Sequence, residues 1–438
     1  SDYPFRTLEG APRIEGAGVN THYSLGKGGF SAVWGTSIMP YAQRDIASWP
    51  VTAEELAPHY RAVLEFMPAA QGHDALEEKF PTFRVTEPMP LSPQAATLLG
   101  KLDENAAELR ARHVMFGRSR LAVDSKHCVR CGLCMYGCPY GLLYNTAQTV
   151  DALAANPNFR YAPGYVVQRV EESAGEVRVH ALRAADGVAE VFLGERAFVA
   201  AGTLATTALM LRSLSLYDTE VSFADSQYFL LPMLRMGSVP GFETSGLQTL
   251  AQLFLEMTDP KISAHTVHMQ LYTYNDLFQR LIDGKLGPLV GMFPSKAFFS
   301  RLFLLQGYLH SDDSRKIVGK LRRTAAGDVF ELHAPAREDT KRTLRRLTRK
   351  LGSLRGLTGL HPMGLMLKAA DPGRGFHTGG SFPMAHRPEG LQSDLLGRTG
   401  GLERIHIVDS STMPSIAATT VTFTAMANAH RIGWSVGQ

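Results

Sequence analysis

Apolar residues recur about every 3.6 positions in some stretches of the chain and alternate with polar residues in others, so the chain combines helices and strands. The helical period predicts helices at 53–66, 93–113, 146–154 and 337–355, and another that begins near residue 420. Alternation bounded by glycine or aspartate predicts strands at about 159–170, 175–184 and 188–200. The small residues of 201–214 predict a turn from a strand into a helix.

The segment 228–310 alternates in stretches such as HTVHMQLYTY (265–274), and a helix is predicted near 275–284. This pattern is typical of an open antiparallel sheet with helices on one face. The predicted fold class is therefore mixed α/β (α+β), with strands and helices intermingled along the chain.

The composition narrows the class of protein. Of the 438 residues, 45% are hydrophobic and the mean hydropathy is −0.08, which is typical of a soluble globular protein with two or more domains. There is no run of about 18 apolar residues, so no transmembrane segment is predicted. The net charge of +4 is small for this length, and no nucleic-acid partner is predicted.

Basic residues with helical spacing are concentrated near residue 345. They favour a solvated helix face, with a docking surface for an acidic or membrane partner as the alternative. The cluster consists of Lys341, Arg342, Arg345, Arg346, Arg349 and Lys350.

All four cysteines fall in the run CVRCGLCMYGCPYG, within the loop 127–141. Their spacing is C-x2-C-x2-C-x3-C followed by proline, the bacterial ferredoxin pattern for an iron–sulfur cluster. The predicted ligands are Cys128, Cys131, Cys134 and Cys138. The expected group is a 4Fe-4S or 3Fe-4S cluster, which indicates electron transfer.

Other interpretations of this loop stay open. A four-thiolate zinc site is the strongest alternative, although structural zinc sites usually pair two separated C-x2-C hairpins. A disulfide or free thiols are the others, but four cysteines in a chain of 438 residues do not make a disulfide scaffold. No secretory signal is recognised, and reduced thiols for a cluster predict a cytoplasmic protein.

Five segments, in order along the chain, resemble motifs of one family. These are LGKGGFSAVWGT (25–36), WPVTAEELAPHY (49–60), AAGTLATTALML (200–211), FHTGGSFPM (376–384) and GLERIHIVDSSTMPSIAATTVTFTAMANAHRI (401–432). Together they resemble the glucose–methanol–choline family of flavin oxidoreductases. The resemblance implies an FAD cofactor and a small alcohol or sugar as substrate.

The resemblance implies His377 as the catalytic base, because histidine can take the hydroxyl proton of an alcohol near neutral pH. Gly379 and Gly380 beside it are expected to let flavin and substrate come close. His361, in GLHPMG, is a local competitor that we rank lower. Thr420 stands where the family places a second polar residue, Asn or His; it is either a weak catalytic helper or the cap of the last helix.

The same resemblance implies the flavin contacts. Gly28, Gly29 and Ser31 are expected over the isoalloxazine ring, and Val167 near the adenine. The turn at Ala201, Gly202 and Thr203 is expected near the diphosphate, and Asp409 near the ribityl chain or diphosphate.

The family's N-terminal G-x-G-x-x-G unit is missing from the chain as written, which begins at Ser1. A truncated gene, a shortened chain and a second chain that supplies the unit are all open. We therefore predict an incomplete FAD-binding Rossmann-like domain at 1–224 and 385–438. A substrate-binding domain is predicted at 225–384, where an open antiparallel sheet is covered by helices.

Two functions follow from these observations. The first is an FAD-dependent dehydrogenase that passes electrons from the flavin through the cluster to an external acceptor, a protein or a quinone. The second is a non-catalytic or truncated subunit that needs another chain or binds carbohydrate only. The aromatic residues that could stack on a sugar, or else belong to the core, are Tyr272, Tyr274, Phe293, Phe298 and Phe299.

Overall fold

The structure is a computed structural model, and it describes residues 5–6, 11, 13–173, 175–242, 248–275 and 295–438. The helices in these ranges are α1 (Ala53–Phe66), α2 (Pro93–Glu104), α3 (Ala106–Ala111), α4 (Thr146–Leu153), α5 (Thr203–Ser213), α6 (Ser295–Phe299), α7 (Glu338–Ser353), α8 (Arg355–Thr358) and α9 (Val421–Gly437). The strands are β1 (Arg13–Ala17), β2 (Val114–Arg118), β3 (Tyr165–Ser173), β4 (Glu176–Arg183), β5 (Ala189–Gly194), β6 (Ala197–Val199), β7 (Glu220–Asp225), β8 (Tyr228–Arg235), β9 (Leu253–Met257), β10 (Val267–Tyr272), β11 (Leu302–Tyr308), β12 (Ile317–Thr324), β13 (Gly327–His333), β14 (Leu360–Pro362), β15 (Lys368–Ala369), β16 (Thr378–Gly379) and β17 (Ile405–Ile407).

The largest sheet has seven antiparallel strands, in the order β14-β8-β11-β10-β9-β2, with β15 also pairing with β8. Successive side chains of a strand point to opposite faces. Met269 and Leu271 of β10 therefore lie on one face with Leu305 of β11, and this face packs in the main core with α2 and α7. The predicted antiparallel sheet with helices on one face is confirmed.

The opposite face of this sheet carries polar side chains. His268 and Gln270 of β10 lie beside Tyr308 and Gln306 of β11, their direct cross-strand partners. Part of this face is covered by a second apolar cluster that includes Met39 and Phe80. We call the set His268, Gln270, Tyr272, Gln306 and Tyr308 the polar sheet face.

A second sheet has five strands, in the order β1-β13-β12-β7-β16. It joins strands from both predicted domains, since β12 and β13 pair with β1 and β7. Its edge strand β16 contains Thr378 and pairs with Ala224 and Asp225 at the end of β7. This pairing fixes the position of the segment that bears His377, so the candidate site begins here.

The elements expected around the flavin form smaller layers. β6 and β17 are parallel partners, β3, β4 and β5 form a three-stranded antiparallel sheet, and α5 packs on β3. β6 ends at Val199, three residues before the capping residue of α5, Gly202. The predicted turn from a strand into a helix at 201–214 is therefore confirmed.

Most predicted elements appear with small changes at their ends. The helix at 53–66 has the predicted bounds, because Thr52 and Glu55 form a capping box at its start. The predicted helix at 93–113 is two helices, separated at Asn105. Strand β3 starts only at Tyr165, and the stretch 188–200 divides into β5 and β6. Most of the helix predicted near 275–284 lies outside the described residues.

The basic segment forms α7, whose apolar side packs in the core through Leu344, Leu347 and Leu351. Lys341 and Arg342 are exposed and pair with acidic residues one turn earlier, as a solvated helix face does. In the described ranges we find no helix with the length and apolar character needed to cross a bilayer.

Candidate functional site

A cleft of about 470 Å³ opens between the glycine loop near residue 28 and the start of α5. Five of the predicted flavin contacts line it: Gly28, Gly29, Ala201, Gly202 and Thr203. Residues more than 170 positions apart thus line one cleft, and their contact with a flavin stays a prediction. The cleft is also lined by residues that the sequence did not single out, among them Thr21, His22, Tyr23, Phe30, Phe376, Thr378 and Ser410.

Gly28 and Gly29 in the loop at the cleft both have positive φ, but only Gly28 is also confined by a neighbouring atom. Gly28 has φ 82°, and a Cβ there would overlap with Asn145 Oδ1, which caps α4. Gly29 has φ 55°, and the space beside it is open. Ser31 does not line the cleft; its hydroxyl bonds to the Gly28 carbonyl and lies 2.9 Å from Thr146 Oγ1. Ser31 therefore links the loop that contains Gly28 to the start of α4 by hydrogen bonds.

The start of α5 forms the opposite wall of the cleft. Gly202 has φ 83° and ψ 149°, a region that is essentially reserved for glycine. The Thr203 hydroxyl lies 2.8 Å from Ser410 Oγ and donates to the Thr378 carbonyl. The first amides of α5 and the segment 376–378 are thereby held at the same cleft.

Asp409 supports this wall from behind. Its carboxylate accepts hydrogen bonds from the Gly202 amide at 2.9 Å, from the Thr206 hydroxyl and from the Ser411 amide at 2.9 Å. Burial nonetheless raises the pKa of Asp409, and these hydrogen bonds oppose that rise. Asp409 is not among the described residues that line the cleft, so its contact with a cofactor stays a prediction.

An aromatic wall closes one side of the cleft. The rings of Phe30 and Phe376 lie 5.0 Å apart, and Phe5 packs on Phe30 at 5.5 Å. Phe376 has φ 54°, a left-handed conformation that costs a non-glycine residue about 1–3 kcal/mol. Strain of this kind clusters at functional sites. It supports a ligand-binding role for the turn before His377.

His377 stands between two residues that line the cleft and faces the polar sheet face. Its imidazole stacks on Tyr308, with ring centroids 4.6 Å apart and 24° between the planes. Its Nδ1 is buried without a hydrogen-bond partner among the described residues. Burial, aided by His268, lowers the pKa of His377 to about 4, so the ring is neutral at pH 7.

Gly379 and Gly380, which follow Thr378, are needed for the packing of a neighbouring segment. A Cβ on Gly379 would overlap with the Ser410 carbonyl oxygen, and one on Gly380 would lie 2.9 Å from the Met413 carbonyl oxygen. These two positions have no room for a side chain, because the segment 410–413 packs against them. The expectation that they also let flavin and substrate come close stays a prediction.

A hydrogen-bonded row runs along the polar sheet face. His268 Nδ1 lies 2.6 Å from Glu256 Oε1, and both side chains are fully buried. Gln270 Nε2 lies 3.1 Å from His268 Nε2, and Tyr272 donates to Gln270 Oε1 at 3.0 Å. The sequence signal for this row was the alternation in HTVHMQLYTY, which predicted the strand but not the chemistry of its buried side.

Thr420 lies at the start of α9 and is 5% exposed. Its side chain makes no capping hydrogen bond, and its Oγ1 has no hydrogen-bond partner within the described ranges. Thr420 thus occupies the N-cap position of α9, as one alternative held, but its hydroxyl does not supply the capping hydrogen bond. A buried hydroxyl without a partner keeps its hydrogen-bonding capacity for a ligand, and a catalytic role for Thr420 stays a prediction.

The cysteine loop wraps tightly between Asp124 and Leu142, which are joined by a backbone hydrogen bond of 3.0 Å. Three glycines and Arg130 have positive φ in this loop. Cys128 and Cys134 pack against an apolar cluster, whereas Cys131 is exposed. Burial raises the pKa of Cys134, and the charges of Cys128 and Cys131 raise it further, so these thiols lie near one another.

The alternatives for this loop differ in the sulfur geometry that they need. The four cysteines form no disulfide. A tetrahedral zinc site would bring its sulfur atoms to about 3.8 Å from one another, given Zn–S bonds of about 2.3 Å. No three of these thiols, all of them described, lie within 4.8 Å of one another. The loop as folded is thus more open than a zinc site, and a larger cluster stays a prediction.

Other predicted residues lie elsewhere. Val167 is on β3 beside a register shift and is not among the described lining residues of the cleft. His361 lies on the edge strand β14. Of the aromatic candidates, Tyr272 belongs to the polar sheet face, Tyr274 packs with Phe299, and Phe298 packs on Phe299. Phe293 lies outside the described residues.

Comparisons with known proteins bear on the fold. No protein-family profile matches the chain, and no curated protein matches its sequence. The structure is similar to that of pyridoxine 4-oxidase from Mesorbium loti, with a TM-score of 0.64 and 16% identity over 99% of this chain and 89% of the other. This likeness confirms the mixed α/β fold class.

Proposed function

We propose that the chain is a flavin-dependent oxidoreductase that oxidises a CH–OH group of an alcohol or sugar. The observation that carries this proposal is the segment Phe376–Thr378. Phe376 and Thr378 line the cleft, and His377 between them stacks on Tyr308. A cleft for a cofactor and a neutral imidazole therefore adjoin on one short segment.

The cleft residues fit FAD. Gly29 and Gly202 leave open space beside their Cα atoms, which permits a close approach of a ligand to the backbone. The cleft reaches the first turn of α5, where backbone amides favour a phosphate group. Phe30 and Phe376 offer an apolar wall. When bound, FAD would supply the acceptor for a hydride.

His377 and the polar sheet face would act on the substrate. The substrate carbon gives up a hydride, the hydroxyl proton passes to the imidazole of His377, and a carbonyl product results. The amides of Gln270 and Gln306 and the hydroxyl of Tyr308 would orient the substrate hydroxyl groups. Thr420 Oγ1 is a further hydrogen-bonding group without a partner in the described structure.

The electrons would leave through the cysteine loop, which makes the enzyme a dehydrogenase in our proposal. Cys134 accepts hydrogen bonds from the Thr249 amide and hydroxyl, as sulfur ligands of clusters do, and an apolar cluster covers one side of the loop. Cys128, Cys131, Cys134 and Cys138 would hold the cluster. The similar solved structure is named an oxidase, so the final acceptor is a point to test.

The test is anaerobic reconstitution of the purified chain with FAD, followed by addition of alcohols, sugars and pyridoxine. We expect flavin absorption that bleaches with one substrate class and returns with an artificial electron acceptor faster than with oxygen. A chain that binds no FAD, or bound FAD that no alcohol or sugar reduces, contradicts the proposal. Faster recovery with oxygen contradicts only the dehydrogenase part.

Iron and sulfide analysis of the same anaerobic preparation tests the cluster. We expect iron and acid-labile sulfide together in the wild-type protein, and a loss of both in a Cys134→Ser variant. Zinc in place of iron, with no sulfide, contradicts electron transfer through this loop and leaves the flavin chemistry untouched.

A further inference from the structure

Three ligand-type side chains meet at a place that the proposed reaction does not use. His265 precedes β10, and His310 and Asp312 follow β11. His265 Nε2 lies 3.2 Å from Asp312 Oδ2, and His310 Nδ1 lies 3.7 Å from the same oxygen. In the described part of the chain, this is the one group of three such residues whose ligand atoms all lie within 4.8 Å of one another.

The distances suit a tetrahedral metal ion. Bonds of about 2.0–2.2 Å to nitrogen and oxygen separate neighbouring ligand atoms by about 3.3–3.5 Å. The observed separations of 3.2 Å and 3.7 Å lie on either side of that range. The spacing of the three ligand atoms therefore matches one ion, once the rings are turned towards it.

Asp45 orients the His310 imidazole from the interior and places a carboxylate near His265, whose Nδ1 has no hydrogen-bond partner among the described residues. The Nε2–H of His310 donates to the Asp45 carbonyl oxygen at 3.1 Å. The Nδ1 of His265 lies 3.9 Å from Asp45 Oδ1, and Asp45 is only 2% exposed. A histidine that ligates a metal usually donates its other ring N–H to a carboxylate or a backbone carbonyl. Asp45 offers its backbone carbonyl to His310 and has its carboxylate near His265.

Binding has an identifiable cost. The two rings stack at 3.6 Å with 8° between their planes, and the Asp312 amide donates to His310 Nδ1 at 3.1 Å. Lone pairs of parallel rings do not converge, so one ring must turn and this hydrogen bond must break. The Asp312 side chain is 61% exposed, which lets it follow the ion and leaves a coordination position open to water.

We propose that His265, His310 and Asp312 bind a divalent transition-metal ion such as Zn²⁺ or Co²⁺, with a water molecule as a further ligand. The ion would join the segment before β10 to the turn after β11. Ser311 in that turn exchanges two hydrogen bonds with Ile416, of 2.8 Å and 3.1 Å, in the loop before α9. The bound ion would thus stabilise the loop that leads to Thr420. This inference is independent of the proposed oxidation.

The test is a titration of the full chain with Co²⁺, followed by its visible spectrum and by calorimetry. Cobalt at this site gives ligand-field bands without the sulfur charge-transfer band that the cysteine loop would produce. We expect one such equivalent in the wild type and in the control variant Asp103→Asn, which changes an exposed carboxylate on α2. In Asp312→Asn and His265→Ala, we expect at least a tenfold weaker affinity.

Thermal unfolding with and without Zn²⁺ gives a second readout. Zn²⁺ should raise Tm in the wild type and in Asp103→Asn, and should raise it less in Asp312→Asn. Equal cobalt affinity and an equal Tm increment in the wild type and Asp312→Asn would overturn the proposal. So would a cobalt spectrum that shows sulfur ligation only.

Discussion

On one face of the seven-stranded sheet, Met269, Leu271 and Leu305 pack into the main core; on the other, His268, Gln270 and Gln306 alternate with them along the same strands. Both faces are largely buried, but burial has a different purpose on each. Apolar burial stabilises the fold. Burying polar groups does not, because each must recover the hydrogen bonds that it loses to water. A buried polar face therefore points to binding or catalysis.

The largest expected effect tests whether the polar face serves catalysis through His377. His377→Gln keeps a polar side chain but removes the base, so the rate of flavin reduction by substrate should fall by about 10²–10⁴-fold. The matched control is His361→Gln, on the edge strand β14, which should leave the rate within a factor of about two. Stopped-flow flavin bleaching measures both. An unchanged rate of flavin reduction in His377→Gln would contradict the role of His377 as the catalytic base.

The second prediction separates the two faces by stability. Leu305→Ala deletes a fully buried side chain from the core and should lower the free energy of unfolding by about 2–5 kcal/mol. Its neighbour Gln306 donates to the Tyr308 hydroxyl at 2.6 Å, and Gln306→Ala should cost only about 1 kcal/mol. Gln306→Ala should instead raise KM. Urea unfolding and steady-state kinetics on both variants provide the comparison.

A stability loss in Gln306→Ala as large as that in Leu305→Ala would show that the polar face is structural. Equal KM values in the wild type and Gln306→Ala would separate this residue from the substrate.

The sequence predicted the strands of this sheet but not the use of its two faces. The alternation in 265–274 is the same whether the polar side faces water or a buried site, so periodicity alone cannot distinguish them. The glycines of the cleft could be predicted further, because the resemblance implied Gly28 and Gly202, and both have positive φ in the structure. Phe30 and Phe376 escaped detection because two phenylalanines 346 positions apart carry no local signal.

The third prediction concerns Asp225, next to the strand that carries Thr378. Asp225 is 2% exposed and accepts one hydrogen bond, from the Gly373 amide. Burial raises the pKa of Asp225 to about 8, against an ordinary value of 3.8. The folded state therefore holds a proton that the unfolded state releases above pH 4. The contribution of Asp225 to the free energy of unfolding is therefore complete below pH 4 and is lost as the pH rises towards 8.

Asp225→Asn keeps the shape of the side chain without a titrating proton. We expect the free energy of unfolding to fall between pH 5 and pH 8 in the wild type and to fall less in Asp225→Asn, by about 1–3 kcal/mol at pH 8. Denaturant unfolding at four pH values measures this difference. Parallel pH profiles in the two proteins would show that Asp225 is ionised in the folded state.

The smallest effect concerns the cleft wall. Gly202→Ala places a Cβ in open space at φ 83° and ψ 149°, so its cost of about 1–3 kcal/mol comes from backbone strain alone. Gly187→Ala, at φ 71° in the β4–β5 turn, also meets no neighbouring atom and should lose stability through backbone strain. Only Gly202→Ala should weaken FAD binding, by about tenfold in a fluorescence titration. Because Gly187→Ala is strained at a turn away from the cleft, a loss of FAD affinity in Gly202→Ala alone reports the cleft itself, and equal affinities would place the cofactor elsewhere.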